Sequence, residues 1–246
     1  MSNAARLACV VIGAGDGLGA AIARAFAREG LAVCVTRRPR HKQALDALAQ
    51  SIRAEAWEAH AFGLDARREE DVAAFFDTVE RTIAPIEVLV FNIGANVRFP
   101  VVETTAQVYS KVWEMACFAG FLAAREAARV MTPRGRGAIL VTGATASLRG
   151  GAGYSAFAGA KQGLRALAQS LARELGPKGV HVAHVVIDGA IDGAFIRSIM
   201  PDAAEKLERE EILAPDEIAR NYVWLHRQGR SAWTFELDLR PWTERW

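Results

Sequence analysis

What this chain of 246 residues lacks narrows its business before any motif is read. It has three cysteines, Cys9, Cys34 and Cys117, widely separated and with no Cys-x-x-Cys pair. Neither a disulfide framework nor a cysteine metal site is encoded, and the chain suits a reducing compartment. Lysine plus arginine number 30 against 28 aspartate plus glutamate, a formal net charge of +2, with the two signs interspersed. The one-sided field that nucleic acid or an anionic membrane surface demands is missing, so neither partner is expected. No run approaches the ~18–20 apolar residues of a membrane span, and the first residues carry no charged region followed by an apolar signal core. A soluble, cytoplasmic protein is the expectation. Repeats, low-complexity stretches and linkers are absent too. Ser2-Asn3-Ala4 reads as a cloning remnant and carries no argument.

What is there is a chain that is 51% hydrophobic, enough to bury a full core in one domain spanning 1–246. Strand-like apolar runs fall at 7–12, 32–36, 59–64, 86–91, 138–141 and 180–187, with a last candidate at 234–239. Helical patterns alternate with them. Over 69–83, Val72, Phe75, Phe76, Val79 and Ile83 share a helical face; over 157–176, Leu164, Leu167, Leu171 and Leu175 do the same. A longer helical segment covers roughly 105–131. This alternation predicts an α/β fold: a single doubly wound Rossmann-type domain, its parallel sheet of about seven strands covered by helices on both faces. His181 and His184, three apart in a strand pattern, face opposite ways and cannot share a metal; no metal site is expected.

Gly13-Ala14-Gly15-Asp16-Gly17-Leu18-Gly19 follows the first strand and opens a helix. Its bare backbone can turn tightly and bring amide groups to a pyrophosphate at the helix N-terminus. The second strand ends in Arg37-Arg38, where an acidic residue would instead hold an unphosphorylated ribose. Arginine there favours a 2′-phosphate and hence NADP(H), the alternative being a solvated basic loop. The glycines at 13, 17 and 19 match the G-x-x-x-G-x-G loop of short-chain dehydrogenases/reductases, and Val90-Phe91-Asn92-Ile93-Gly94-Ala95 resembles that family's Asn-Asn-Ala-Gly stretch, with Asn92 and Gly94 kept. The resemblance runs from about Leu7 to Ile196. It implies that Asp65 accepts from the adenine amino group, with a turn or N-cap aspartate as the alternative, and that Ile191 meets the nicotinamide carboxamide through its main chain. A homodimer or homotetramer acting on a small-molecule substrate is also implied.

The reaction centre departs from the family pattern. The family's acid is a tyrosine four residues before a lysine, with a serine thirteen residues upstream and an asparagine in the long preceding helix. Hydride transfer to a carbonyl leaves charge on oxygen, which an acid within hydrogen-bond reach must neutralise, and a nearby ammonium lowers a phenol's pKa for the task. Here Phe157 stands at the tyrosine position, Ala144 at the serine and Ala116 at the asparagine; only Lys161 survives, with ribose binding as its implied role. Tyr154, seven residues before Lys161 and so two helical turns away, is a substitute candidate if the helix starts early enough. Its spacing is similar to that of enoyl-thioester reductases, whereas an amphipathic residue at a glycine-rich helix entrance is the alternative. Thr142, Thr145 and Ser147 are nearby hydroxyls, and Asp188 and Asp192 are donors if desolvation raises their pKa. The aromatic tail 233–242 is expected either at a subunit contact or over the substrate cleft.

Two functions follow. The first is an NADP(H)-dependent oxidoreductase moving hydride to or from a small carbonyl or activated C=C, with Lys161 and Tyr154 at its centre. The second is a dinucleotide-binding or regulatory protein that has lost turnover.

Overall fold

The structure, a computed structural model, describes residues 6–245; Ser2-Asn3-Ala4 lies outside them. Strands and helices alternate as β1 (Ala8–Ile12), α1 (Leu18–Arg28), β2 (Ala32–Arg37), α2 (Lys42–Ala54), β3 (Ala59–Gly63), α3 (Glu69–Thr82), β4 (Ile86–Phe91), α4 (Ala106–Trp113), α5 (Ala119–Met131), β5 (Gly137–Thr142), α6 (Ser155–Leu175) and β6 (Val180–Ile187). Two short helices, α7 (Ala194–Ile199) and α8 (Ala203–Glu208), precede α9 (Pro215–Arg227) and β7 (Glu236–Leu239). The strands form one sheet in the order β3-β2-β1-β4-β5-β6-β7, every pairing parallel. This is the seven-stranded, doubly wound arrangement the sequence predicts.

Strand period explains the two cores. On β1, Cys9 and Val11 point to a layer formed with Ile22 and Phe26 of α1, Leu45 and Ile52 of α2, and Tyr222 of α9. Ala8, Val10 and Ile12 point to the other, with Phe75 and Phe76 of α3, Leu122 and Met131 of α5, and Leu164 of α6. Successive side chains of a pleated strand take opposite faces, so a strand buried on both sides must be apolar at every position. Of the predicted stripes, Leu164 and Leu175 are fully in the core while Leu167 and Leu171 are only partly buried.

Three local outcomes refine the sequence reading. The long helical segment is interrupted: α4 and α5 are joined by a π-helical stretch, Glu114–Phe118, and Thr105 caps the entry by accepting from Val108 N at 3.2 Å. Second, α6 begins at Ser155, leaving Tyr154 as its N-cap. Third, the tail aromatics turn inward. Trp233 stacks on His181 at 4.9 Å between centroids and donates its indole N–H to Gln228 O, and Phe235 packs on the α6-side core. Trp242 alone stays well exposed. These contacts seat Trp233 and Phe235 within the chain, away from the larger cavity.

Because β1 pairs with both β2 and β4, the loops leaving their carboxyl ends part in opposite directions and open a crevice at this switch point. Both recesses described next lie there.

Candidate functional site

The glycine loop is built for close approach. Gly13 has φ +93°, and a Cβ on it would lie 2.6 Å from Asn92 O; one on Gly19 would lie 2.5 Å from Gly13 O. Loop and helix therefore interlock with no room for a side chain at Gly13 or Gly19. The Gly13 and Ala14 amides donate to Thr36 O at 3.1 and 3.0 Å, and Asn92 Nδ2 donates to Gly13 O at 3.1 Å. Asn92 thus fixes the loop itself. Helix α1 begins with Leu18 without a side-chain cap, so its first amides remain available to an anion.

Beside the loop is a recess of about 210 Å³ lined by Gly13, Gly15, Thr36, Arg37, Arg38, His41, Asp65, Arg67, Asn92 and Gly94. The sequence placed most of these together; His41 and Arg67 it missed. Arg67 closes on Asp65 in a fork, with Nε 2.9 Å from Oδ1 and the terminal nitrogen 2.6 Å from Oδ2. That guanidinium holds the Asp65 carboxyl below its usual range. Burial, with the cations of Arg40, Arg67 and Arg37 around it, pulls the Arg38 pKa down. Clustered cations that disfavour one another make a ready-made seat for a multiply charged anion.

The larger cavity, about 930 Å³, runs from Leu18 and Asn92 past Thr142–Ala146 to Tyr154, Phe157, Lys161 and Ile191. Lys161 is its buried cation, 2% exposed. Its ammonium donates to Ile93 O at 3.0 Å and Thr142 O at 2.9 Å, tying the ends of β4 and β5 to α6. Burial lowers its pKa from 10.5 to about 8. Phe157, Ala116 and Ala144 pack in one apolar cluster with Val112, Cys117 and Ala146. Phe157 and Ala144 of this cluster present hydrocarbon to the cavity that holds the lysine, whose ammonium lies 5.9 Å from the Phe157 ring centroid.

The candidate replacements separate by geometry. Thr142 points the other way, its Oγ1 2.7 Å from the hydroxyl of buried Tyr222. Thr145 donates to Asp188, and buried Ser147 accepts from Ala144 N at 3.1 Å. All three are committed elsewhere. Asp192 is corrected as an acid, because Arg197 holds its carboxyl below its usual range; Asp188 accepts from Thr145 and lies 3.4 Å from Arg240 and 3.5 Å from Arg149. Tyr154 remains, half-buried and lining the cavity with Lys161 although it lies outside the helix.

Ile191 also lines the cavity. Leu213 N donates to Ala190 O and Asp192 N to Leu213 O, so the parallel bridge uses Ile191's neighbours and turns its own amide and carbonyl away from Leu213. Asp16 is exposed and borders a separate recess with Asp192, Gly193 and Arg197. One turn beyond Lys161, Arg165 forks onto Glu236 at 2.6 and 2.7 Å, and His184 Nδ1 donates to the same carboxylate at 2.9 Å. Burial depresses the His184 pKa, making it a neutral polar brace under α6. His181, on the opposite face, lies against Trp233.

A glycine cradle that any Cβ would fill, uncapped amides and a cluster of arginines fit a dinucleotide with its phosphates at α1. A family model described as enoyl-(acyl carrier protein) reductase matches residues 13–236. The chain belongs to the short-chain dehydrogenase/reductase family. Sorbitol-6-phosphate 2-dehydrogenase of Escherichia coli (strain K12) is 30% identical over 217 residues, 87% of this chain and 82% of that one. The short-chain reductase protein NovJ of Streptomyces niveus is 31% identical over 228 residues, 89% and 86%. A solved short-chain dehydrogenase from Rhodopseudomonas palustris is 47% identical, with TM-score 0.82 over 96% of this chain and 99% of that one. A metagenomic short-chain oxidoreductase in complex with NADP is 26% identical, with TM-score 0.79 over 98% and 99%. Short-chain dehydrogenases/reductases are oxidoreductases, and the Rossmann-type sheet found here is theirs.

Proposed function

We propose that this protein is an NADP(H)-dependent oxidoreductase that reduces a small carbonyl or an activated C=C. One observation carries the reading: two adjoining recesses share Asn92, Ile93 and Gly94, one lined by Arg37, Arg38 and the glycine loop and the other by buried Lys161. The NADP in the metagenomic relative supports the choice of dinucleotide. Gly13, Gly15, Gly17, Leu18 and Gly19 would carry the pyrophosphate, Arg37 and Arg38 the 2′-phosphate, Asp65 the adenine side, and Lys161 with the Ile191 main chain the nicotinamide half. The bound cofactor supplies hydride from its reduced ring. Tyr154 donates a hydrogen bond to the oxygen on which charge develops, passes its proton to that oxygen and regains one from solvent, and Lys161 holds positive charge on the same cavity wall. The apolar wall of Phe157 and Ala144 excludes water, which strengthens both interactions.

The same wall favours the rival reading, a dinucleotide-binding protein without turnover, since three hydroxyl or amide groups are replaced together. Tyr154→Phe separates the two. With oxidation of NADPH measured against panels of enones, enoyl-thioesters, aldehydes and ketones, the oxidoreductase reading expects the variant to lose about 10²-fold in turnover with NADPH affinity unchanged. Unchanged turnover would remove Tyr154 from the chemistry, and silence of wild type with tight NADPH binding would favour the rival.

A homo-oligomer, two or four copies, is part of the proposal. Tyr109, Trp113 and Phe121 are exposed along α4 and α5, with Phe118 stacked between the latter two, and a second copy of the chain would cover them. Light scattering is expected to give the mass of two or four chains; a monomer at micromolar concentration would contradict this.

A further inference from the structure

The larger cavity has cations and no anions on its lining. Arg98, Arg149 and Lys161 border it, and no aspartate or glutamate does. Lys161 has two of its three donors on backbone carbonyls and the third assigned to the cofactor, and Arg149 leans toward Asp188 at 3.5 Å, a carboxylate also engaged by Thr145 and Arg240. Arg98 differs from both. Among the described residues no carboxylate comes within ion-pair distance of it, and its guanidinium lies over the Tyr154 ring, 5.8 Å from the centroid.

Arg98 is nevertheless placed. Phe99 N donates to Gly153 O at 2.8 Å, stitching the loop after β4 to the entrance of α6. Gly153 has φ +84°, and a Cβ there would come within 3.0 Å of Arg98 Cγ, so the stem of Arg98 lies across a position that glycine keeps open. A cation–π contact with an aromatic face holds a guanidinium in place while leaving its N–H donors available. Those donors match a carboxylate in a bidentate pair. The neighbouring walls are hydrocarbon: Val97, Ala146, Phe157, Phe195 and Ile199.

We infer that the substrate is an organic acid, with Arg98 binding its carboxylate at the cavity mouth and Arg149 adding positive potential. The reducible group sits deeper, beside Tyr154 and Lys161, on a small apolar body. An unpaired cation at the rim of an apolar cavity focuses potential on an entering anion, and a neutral analogue forfeits the charge-assisted bonds. Arg98 is thus a specificity residue that does not touch the reacting atoms. The inference rests on the oxidoreductase reading of this cavity, and its test is arranged so that the two fail separately.

NADPH affinity of the full-length protein is measured first, by quenching or enhancement of nicotinamide fluorescence; failure to bind sinks the oxidoreductase reading. Binding of 3-oxobutanoate, 4-oxopentanoate and 5-oxohexanoate to the NADPH-loaded protein is then compared with that of their methyl esters by calorimetry, a readout that needs no turnover. At least one acid is expected to bind about 10-fold or more tighter than its ester. Arg98→Ala and the uncharged but still polar Arg98→Gln should both abolish that preference while leaving NADPH affinity unchanged. Where the acid is turned over, KM should rise with kcat little changed. Equal binding of acid and ester, binding of no acid, or a preference that survives both Arg98 variants would overturn the inference while the cofactor reading stands.

Discussion

Lys161→Met is expected to make the protein more stable near neutral pH and much less active. Burial pulls the ammonium's pKa from 10.5 to about 8, so below pH about 8 the folded chain holds a charge that its surroundings disfavour. At about 1.4 kcal/mol per pKa unit, that costs about 3 kcal/mol. Methionine removes the cost but abandons the bonds to Ile93 O and Thr142 O, which returns about 1 kcal/mol each. The net gain, about 1 kcal/mol, corresponds to a rise of about 2–4 °C in thermal midpoint for a chain of this size. In wild type the unfolded state keeps its lysine proton up to 10.5 while the folded state releases its own from about 8. Wild-type stability therefore rises with pH across that window, and the variant's advantage should disappear over it. Turnover should fall by about 10²-fold or more at any of these pH values. A variant less stable at neutral pH, or an advantage independent of pH, would mean that the ammonium is better solvated than its burial implies.

The second large effect concerns cofactor choice. Arg37→Ala combined with Arg38→Ala should weaken NADPH binding by about 10²-fold, as expected when charge-assisted hydrogen bonds of about 1.5–3 kcal/mol are lost, and should leave NADH within a few-fold. The physical basis is the surroundings of Arg38, where burial first and then the cations of Arg40, Arg67 and Arg37 disfavour its charge, a penalty that a 2′-phosphate would relieve. Titration of both cofactors against both proteins is the check. Equal losses for NADPH and NADH would place the two arginines against a feature that both dinucleotides share.

The parts of the molecule that were legible in the sequence are those fixed by short-range pattern. Strands buried on both faces must be apolar at every position, so β1, β2, β4 and β6 stand out as runs, and the glycine loop announces the switch point because no other residue fits where Gly13 meets Asn92 O. Lys161 and Phe157 were found by counting along one helix. What stayed hidden depends on distant partners or on rotamers. Arg67 lies two residues from Asp65, but nothing in that spacing says that it will occupy both carboxylate oxygens. The brace of Arg165, Glu236 and His184 joins residues 71 and 52 apart, visible only once β7 lies beside β6. Thr142 looked like a cleft hydroxyl, but the pleat turns its side chain to Tyr222. Arg98 belongs to no motif, and its seat depends on Gly153 and Tyr154, more than fifty residues away.

The central claim is that this crevice transfers hydride without a hydroxyl at position 157. The most direct measurement uses NADPH carrying deuterium at the transferring C4 position, incubated with the protein and the oxo acids above, alongside enones and enoyl-thioesters, with products read by mass spectrometry. The account predicts deuterium in a reduced product, formed by wild type and lost in Lys161→Met. Tight NADPH binding with no label in any product would contradict it and leave a dinucleotide-binding protein in its place.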